Sequence, residues 1–357
     1  MPLLKKILPI ILLCSNIVFG QDNSFQGYAT AKIKNDKIEI QTFGFRDSAK
    51  TQAYDTLTIQ PIGSVSKTFI GLAIMKAVEL GLVNLDTDIQ QYLDFKVINP
   101  NVKRNISISL RHLATHTSGI KDNEKYYRQA YVQGTKSNQT LKAFLREYFE
   151  PNGNKYSKNN FGKYQAGEEY NYSNIGAALA AYVLESATKI PFEQFTQQYI
   201  FDPLGMKHTR WFYDESLSKH YSQLFDEKDQ ALKPYTLITY PDGALKTTIS
   251  DLSRYLHALM KGYRHQSNLL GNQYWDILFT KNYNDSKPVK NLSPKEPNSG
   301  IFIIYAKSGA IGHTGSDPGV SVMLFFNPES NEGKIFMANE DLNPQNLEKF
   351  KQIWDAL

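Results

Sequence analysis

With 357 residues, 41% of them apolar and 21% charged, the chain has the makeup of an ordinary globular protein large enough for a substantial core. Its formal net charge is +5, from 40 basic and 35 acidic residues mixed along the sequence, which excludes the clustered basic footprint of nucleic-acid binding. A single cysteine excludes a disulfide framework.

Lys5 and Lys6 precede a short apolar run, Ile7 to Leu13, and Val18-Phe19-Gly20 places compact residues at the two recognition positions before Gln21. This is the pattern of a secretory signal peptide over residues 1–20, with cleavage expected after Gly20 and a secreted or periplasmic mature chain of residues 21–357. Removal of the leader takes Lys5, Lys6 and Cys14, so the net charge falls from +5 to +3 and no thiol remains. That excludes thiolate nucleophiles and cysteine–zinc sites. Lipid anchoring at Cys14 is disfavoured by the bulky Leu13. The leader is too short for a comfortable membrane span, and no later segment is apolar enough for one.

Residues 27–46 read as a hairpin of two alternating strands around the turn pair Asn35-Asp36. After a loop marked by Pro61 and Gly63, a dense apolar pattern from Phe69 to Leu80 reads as a helix buried on most sides. Ser64 and Lys67 stand three apart at its start, so both side chains point the same way. A serine hydroxyl needs a neighbour to take its proton, and a lysine can do so when its amine is neutral, a state favoured by burial and nearby positive charge. The helix N-terminus stabilises negative charge developing near Ser64.

From Gly81 to about Tyr240 the chain reads as helical and loop-rich. Asp86 to Leu93 is a short amphipathic piece; Ser109 caps Leu110 to Ala114, which ends at Thr117-Ser118-Gly119; Asn174 to Thr188 and Phe192 to Ile200 are longer helices. Residues 121–170 are polar and rich in Tyr, Asn and Lys, and are consistent with an ordered rim or a mobile loop. Ser250 is the expected cap of a helix from Asp251 to about Lys261. Residues 280–300 read as a loop. Strands return at Ile301 to Tyr305, Ala310 to His313, Val320 to Phe326 and Lys334 to Met337, followed by a helix from about Pro344 to Ala356. Strands at both ends with helices between imply one sheet built from the N- and C-terminal parts (about 25–80 and 241–357), with a helical insertion at about 81–240. Ser64 then lies at the junction, a usual place for a pocket.

Two further groups carry chemistry. Tyr172-Ser173-Asn174 begins the Ala-rich helix: the tyrosine can share the proton of Ser64 or Lys67, and Asn174 can donate to a substrate carbonyl and accept from Lys67. His313-Thr314-Gly315-Ser316 follows a strand signal: Gly315 lets a substrate backbone approach, the N–H of Ser316 with that of Ser64 is placed to stabilise an acyl oxyanion, and His313 can donate to a substrate carboxylate or steer a proton. His112 and His116 stand four apart like a zinc pair, but Leu113 follows His112 and no third ligand is apparent, so both are read as structural, packing or capping the helix end. No Gly-x-Ser-x-Gly elbow is present, which counts against an α/β-hydrolase.

Ser64-Val65-Ser66-Lys67, Tyr172-Ser173-Asn174 and His313-Thr314-Gly315, in this order and at these separations, resemble the serine β-lactamase and penicillin-binding-protein superfamily. The resemblance is nearest to the branch of class C β-lactamases, D-Ala-D-Ala carboxypeptidases, D-aminopeptidases and related esterases. Leu110 to Ile120, Asp202 to Met206 and Gly243 to Leu252 also match its pattern, so the resemblance covers roughly residues 25 to 350. It implies the α/β (α+β) β-lactamase/transpeptidase-like fold and an acyl-enzyme on Ser64. Proton traffic would be shared by Lys67 and Tyr172, with an oxyanion hole from Ser64 and Ser316 and substrate contacts from Asn174, His313, Thr314 and Gly315. It implies no metal or organic cofactor. The substrate would be a peptidoglycan-type peptide, an ester or a β-lactam, with D-Ala-D-Ala or D-amino-acid peptides first, esters second and β-lactams third; a non-catalytic penicillin-binding sensor is the remaining alternative. Two departures stand out: His313 replaces the usual lysine of class C enzymes, removing a fixed positive charge for a substrate carboxylate, and Gln165-Ala166-Gly167 lacks the proline common before that glycine.

Overall fold

Apolar alternation at both ends of the chain produces the central sheet. The computed structural model describes residues 25–103, 106–284, 286 and 288–357; the expected leader, with Cys14, lies outside them. Strands β1 (Gly27–Lys34) and β2 (Lys37–Gly44) form the N-terminal hairpin. Asn35 and Asp36 both take positive φ, 51° and 60°, the conformation a two-residue turn between twisted strands demands. After β3 (Gln60–Pro61) comes α1 (Ser66–Glu79). The middle carries α2 (Leu110–Ala114), α3 (Glu124–Tyr127), β4 (Tyr131–Gln133), α4 (Leu141–Phe149), α5 (Asn174–Thr188), α6 (Phe192–Thr196), α7 (Asp202–Leu204) and β5 (Tyr235–Leu237). The C-terminal part has β6 (Lys246–Thr247), α8 (Ile249–Tyr263), α9 (Asn272–Phe279), β7 (Asn298–Ser299), β8 (Ile304–Tyr305), β9 (Ile311–Asp317), β10 (Val320–Asn327), β11 (Glu332–Ala338) and α10 (Leu347–Ala356).

Seven strands join in the order β2-β1-β11-β10-β9-β8-β7, every pair antiparallel, so the two ends of the chain meet where Tyr28 pairs with Ala338 and Lys34 with Glu332. The architecture is therefore the expected antiparallel sheet flanked by helices. α8 covers one face: a side chain at Gly333 would meet Met260 and Leu256. α10 covers the other, where Phe350 packs edge-on to Phe336 at 5.0 Å beside Phe25 and Tyr28. α1 is buried from Ser66 to Met75 and links the sheet to the helical layer through Phe69, stacked on Tyr255 at 3.7 Å. Full burial of one such ring contributes roughly 1.5–3 kcal/mol. Among the described residues, no helix is long and apolar enough to cross a membrane.

Several local expectations shift. The middle of the chain is not helical alone: β4 pairs with β5 as a short hairpin. Residues 121–170 are neither rim nor open loop, since Phe144, Tyr148 and Phe149 enter the core and fully buried Asn160 donates to the carbonyls of Tyr148 and Lys155 at 2.9 Å each. α8 is capped by Thr248, which accepts from the Asp251 N–H, while Ser250 turns away to the Thr56 carbonyl. The strand expected from Ile301 is confined to Ile304–Tyr305, because Phe302 takes a left-handed φ of 52°. β9 runs on to Asp317, four residues beyond the expected end.

Candidate active site

The Ser64 turn is fixed before any chemistry is considered. Gly63 has φ +52°, and a Cβ there would lie 2.8 Å from the Ser316 nitrogen; a Cβ on Gly315 would lie 2.0 Å from the Ile62 carbonyl oxygen. Only glycines allow β9 and this turn to meet so closely. Behind the turn, Ile62 N–H donates to Leu245 O at 3.0 Å and Leu245 N–H donates to the Ser66 hydroxyl at 3.2 Å. Ser64 sits on a single 3-10 turn, Gly63–Val65, ahead of α1 and not inside it. Lys67 follows three residues on, in the first turn of α1, with its Nζ in reach of the Ser64 hydroxyl.

Lys67 is fully buried. Its Nζ lies 2.9 Å from Ser64 Oγ, 2.7 Å from Asn174 Oδ1 and 2.6 Å from the Asp242 carbonyl oxygen. The last two can only accept. A neutral amine has two N–H groups and one lone pair. If both N–H groups serve those acceptors, the lone pair is left facing the serine hydroxyl, which is the arrangement a general base requires.

Asn174 and Tyr172 are brought in by the start of α5. Asp122 caps that helix from a distant loop: it accepts from the Ser173 hydroxyl at 2.8 Å, Asn174 N–H at 2.8 Å and Ile175 N–H at 3.0 Å, a favourable place for an anion. Lys67 Nζ lies 5.1 Å from the centre of the Tyr172 ring. His116 also packs on that ring, with ring centres 4.4 Å apart. His112 is structural as expected, but it caps the start of α2, in a capping box with Ser109, and not its end. The two histidines thus serve different neighbours. Among the described residues, no group of three or more His, Cys, Asp or Glu is arranged to hold a metal ion.

The third group arrives on β9. His313 is 2% exposed, and its ring centre lies 6.3 Å from that of Tyr172. Its Nδ1 is 2.6 Å from the Thr314 carbonyl, which can only accept, so Nδ1 carries the proton and Nε2 of the neutral ring is an acceptor. Burial, reinforced by the charge of Lys67, pushes the imidazole down to about 3. The donor role expected of His313 toward a carboxylate is therefore not available to this tautomer near neutral pH. Thr314, Gly315 and Ser316 also border a cleft of about 640 Å³ that reaches Phe336 and Phe350 on the α10 side and is not lined by Ser64, Lys67, Tyr172 or His313.

Several groups close to the site carry no legible sequence signal. Asp242, 1% exposed, contributes its carbonyl to Lys67 while its carboxyl Oδ1 accepts from the Tyr127 hydroxyl at 3.3 Å. Tyr131 donates to Asp317 Oδ1, immediately after Ser316. Burial pushes the Asp242 carboxyl up to about 8 and that of Asp317 up to about 6. A raised carboxyl stays protonated in the native state while the unfolded chain ionises near 3.8, so its contribution to stability is lost as pH rises from there through about 8 for Asp242. Asp242→Asn cannot ionise. Its stability relative to the unaltered protein is expected to climb between pH 5 and 8 by on the order of 1 kcal/mol per pH unit. Thermal unfolding of the two proteins at both pH values checks this, and a constant difference overturns it.

Residues 18–357 match the family model described as beta-lactamase. Penicillin-binding protein 4* of Bacillus subtilis (strain 168) is 24% identical over 355 residues, an alignment covering 90% of this chain and 70% of that protein. Protein flp of Staphylococcus aureus (strain MRSA252) is 23% identical over 330 residues, and the chain spans only 60% of its length. A class C β-lactamase superposes with a TM-score of 0.72 at 20% identity, covering 94% of this chain and 92% of the other.

Proposed function

The chain belongs to the β-lactamase family, whose fold relatives are serine hydrolases acting through an acyl-enzyme, and we propose that it does so with Ser64 as nucleophile and Lys67 as general base. The supporting observation is that two obligate acceptors, Asn174 Oδ1 and the Asp242 carbonyl, hold Lys67 Nζ 2.9 Å from Ser64 Oγ. Ser64 attacks a substrate carbonyl and Lys67 takes the hydroxyl proton. Tyr172 passes a proton to the leaving group, and Asn174 orients the substrate amide. The N–H groups of Ser64 and Ser316 hold the oxyanion, and water releases the acyl group. Residues 21–357 act as one catalytic unit, exported by the leader of residues 1–20.

The first substrate class is a D-amino-acid peptide, including D-Ala-D-Ala ends of cell-wall peptides. A small carboxylic ester is the second reading, and one observation favours it: His313, neutral and with Nδ1–H committed to Thr314, offers no positive charge to a substrate carboxylate. β-Lactams and D-Ala-D-Ala ends both carry such a carboxylate, so the same reason sets both behind the ester. The test is steady-state turnover of a D-Ala-D-Ala peptide, p-nitrophenyl acetate and nitrocefin by the mature protein. Fastest turnover of the peptide supports the first reading; turnover of the ester at least about 100-fold faster than both carboxylate-bearing substrates, the scale of discrimination that an unmet charged group produces, supports the second. Nitrocefin as the best of the three substrates overturns the proposal.

A further inference from the structure

We propose that His116 is a positioning residue that holds Tyr172 beside Lys67, an inference that rests on the roles given to Ser64 and Tyr172 above. The residues on both sides of Tyr172 are tied to this one histidine. Its backbone carbonyl accepts from Asn171 N–H at 2.8 Å, and its Nδ1 accepts from Ser173 N–H at 3.2 Å. Its ring lies 4.4 Å from the Tyr172 ring at 34° and is itself braced edge-on by Phe302 at 5.6 Å and Tyr170 at 6.0 Å. Tyr172 is thus packed against this ring and held at both peptide neighbours by its hydrogen bonds.

The backbone makes a histidine here expensive. His116 has φ +54° directly after α2, a left-handed position that glycine or asparagine fills at little cost. It is also 5% exposed. A residue meant only to end α2 needs neither a ring nor an acceptor nitrogen. The clamp uses both. Because Nδ1 accepts, the ring proton of the neutral form sits on Nε2. Burial, followed by the neighbouring Lys67, holds the imidazole well below its usual range, so the acceptor stays available.

His116→Asn separates the two halves. Asparagine tolerates the left-handed φ, and its Oδ1 stands where Nδ1 does, so the Ser173 bond survives and the ring wall is lost. His116→Phe does the reverse. The readout is the rate at which an alkyl fluorophosphonate labels Ser64, measured by mass spectrometry in a double-mutant cycle with Tyr172→Phe. Tyr172→Phe alone is expected to slow labelling about 100-fold, the lower end for a positioned acid or base. His116→Asn and His116→Phe are each expected to slow it about tenfold in the unaltered background and to have almost no further effect when Tyr172 is already phenylalanine. A merely structural histidine would multiply with Tyr172→Phe, and that product overturns the inference while leaving the Ser64 mechanism standing. Wild-type labelling by both His116 variants also overturns it. If His116→Asn fails to fold, the cycle with His116→Phe decides alone. No label on Ser64 in the unaltered protein removes the mechanism and this inference together.

Discussion

Ser64→Ala is expected to fold normally and to lose turnover by on the order of 10⁴–10⁶-fold, the range seen when the nucleophile of a catalytic unit is deleted. The fold survives because little depends on the hydroxyl. The turn is held by Gly63 and Gly315 in close contact and by the Ile62–Leu245 and Leu245–Ser66 bonds, none of which involves the Ser64 side chain. The variant loses one hydrogen bond to Lys67, worth about 1 kcal/mol. Ser64 is partly exposed between buried neighbours, so it is the hydroxyl on this turn that a substrate can reach. Intact-mass measurement after mixing with substrate is expected to show an acyl adduct on the unaltered protein and none on Ser64→Ala. Full turnover by the variant on whichever substrate is cleaved overturns the mechanism.

The parts of this site that were legible in the sequence are those that depend on spacing along the chain. Ser64 and Lys67 fall three apart at the start of an apolar helix, and that spacing survives even though Ser64 lies on a 3-10 turn just outside the helix. Tyr172 and Asn174 were legible because they straddle a helix cap. The hairpin was legible in Asn35-Asp36, a pair that tolerates positive φ. The illegible parts are held by contacts between distant residues. Asp122 caps α5 from about fifty residues upstream, and no local pattern marks it. Asp242 serves Lys67 with a backbone carbonyl, which any residue type would present. The tautomer of His313 follows from its neighbour's carbonyl direction, a property of β9 and not of composition. The misplaced cap of α8 is different, because its signal was present: Thr248 stands three before Asp251, the spacing of a capping residue and its acid, whereas Ser250 is adjacent to it. Residues 121–170 were obscured by their own composition, since tyrosines and asparagines that read as a polar surface are buried with their hydrogen bonds satisfied.

Lys67→Ala is the second large effect: acylation is expected to slow by at least about 1000-fold, because nucleophile and base act as a unit. The cause must be separated from simple damage, since the change also leaves Asn174 Oδ1 and the Asp242 carbonyl without their buried donor. Such losses cost roughly 1–3 kcal/mol each in stability, and thermal unfolding measures them independently of rate. Lys67→Arg makes the sharper comparison. A guanidinium keeps a permanent charge and can still donate to both acceptors, yet it does not give up a proton at any working pH. If Lys67 contributes only positive charge, the arginine variant acylates at close to the normal rate. If Lys67 takes the proton of Ser64, arginine is as defective as alanine even where it restores stability. The base role proposed for Lys67 predicts the second outcome. Labelling of Ser64 by the fluorophosphonate in both variants reads it directly, and near-normal labelling in Lys67→Ala would remove lysine from the base role altogether.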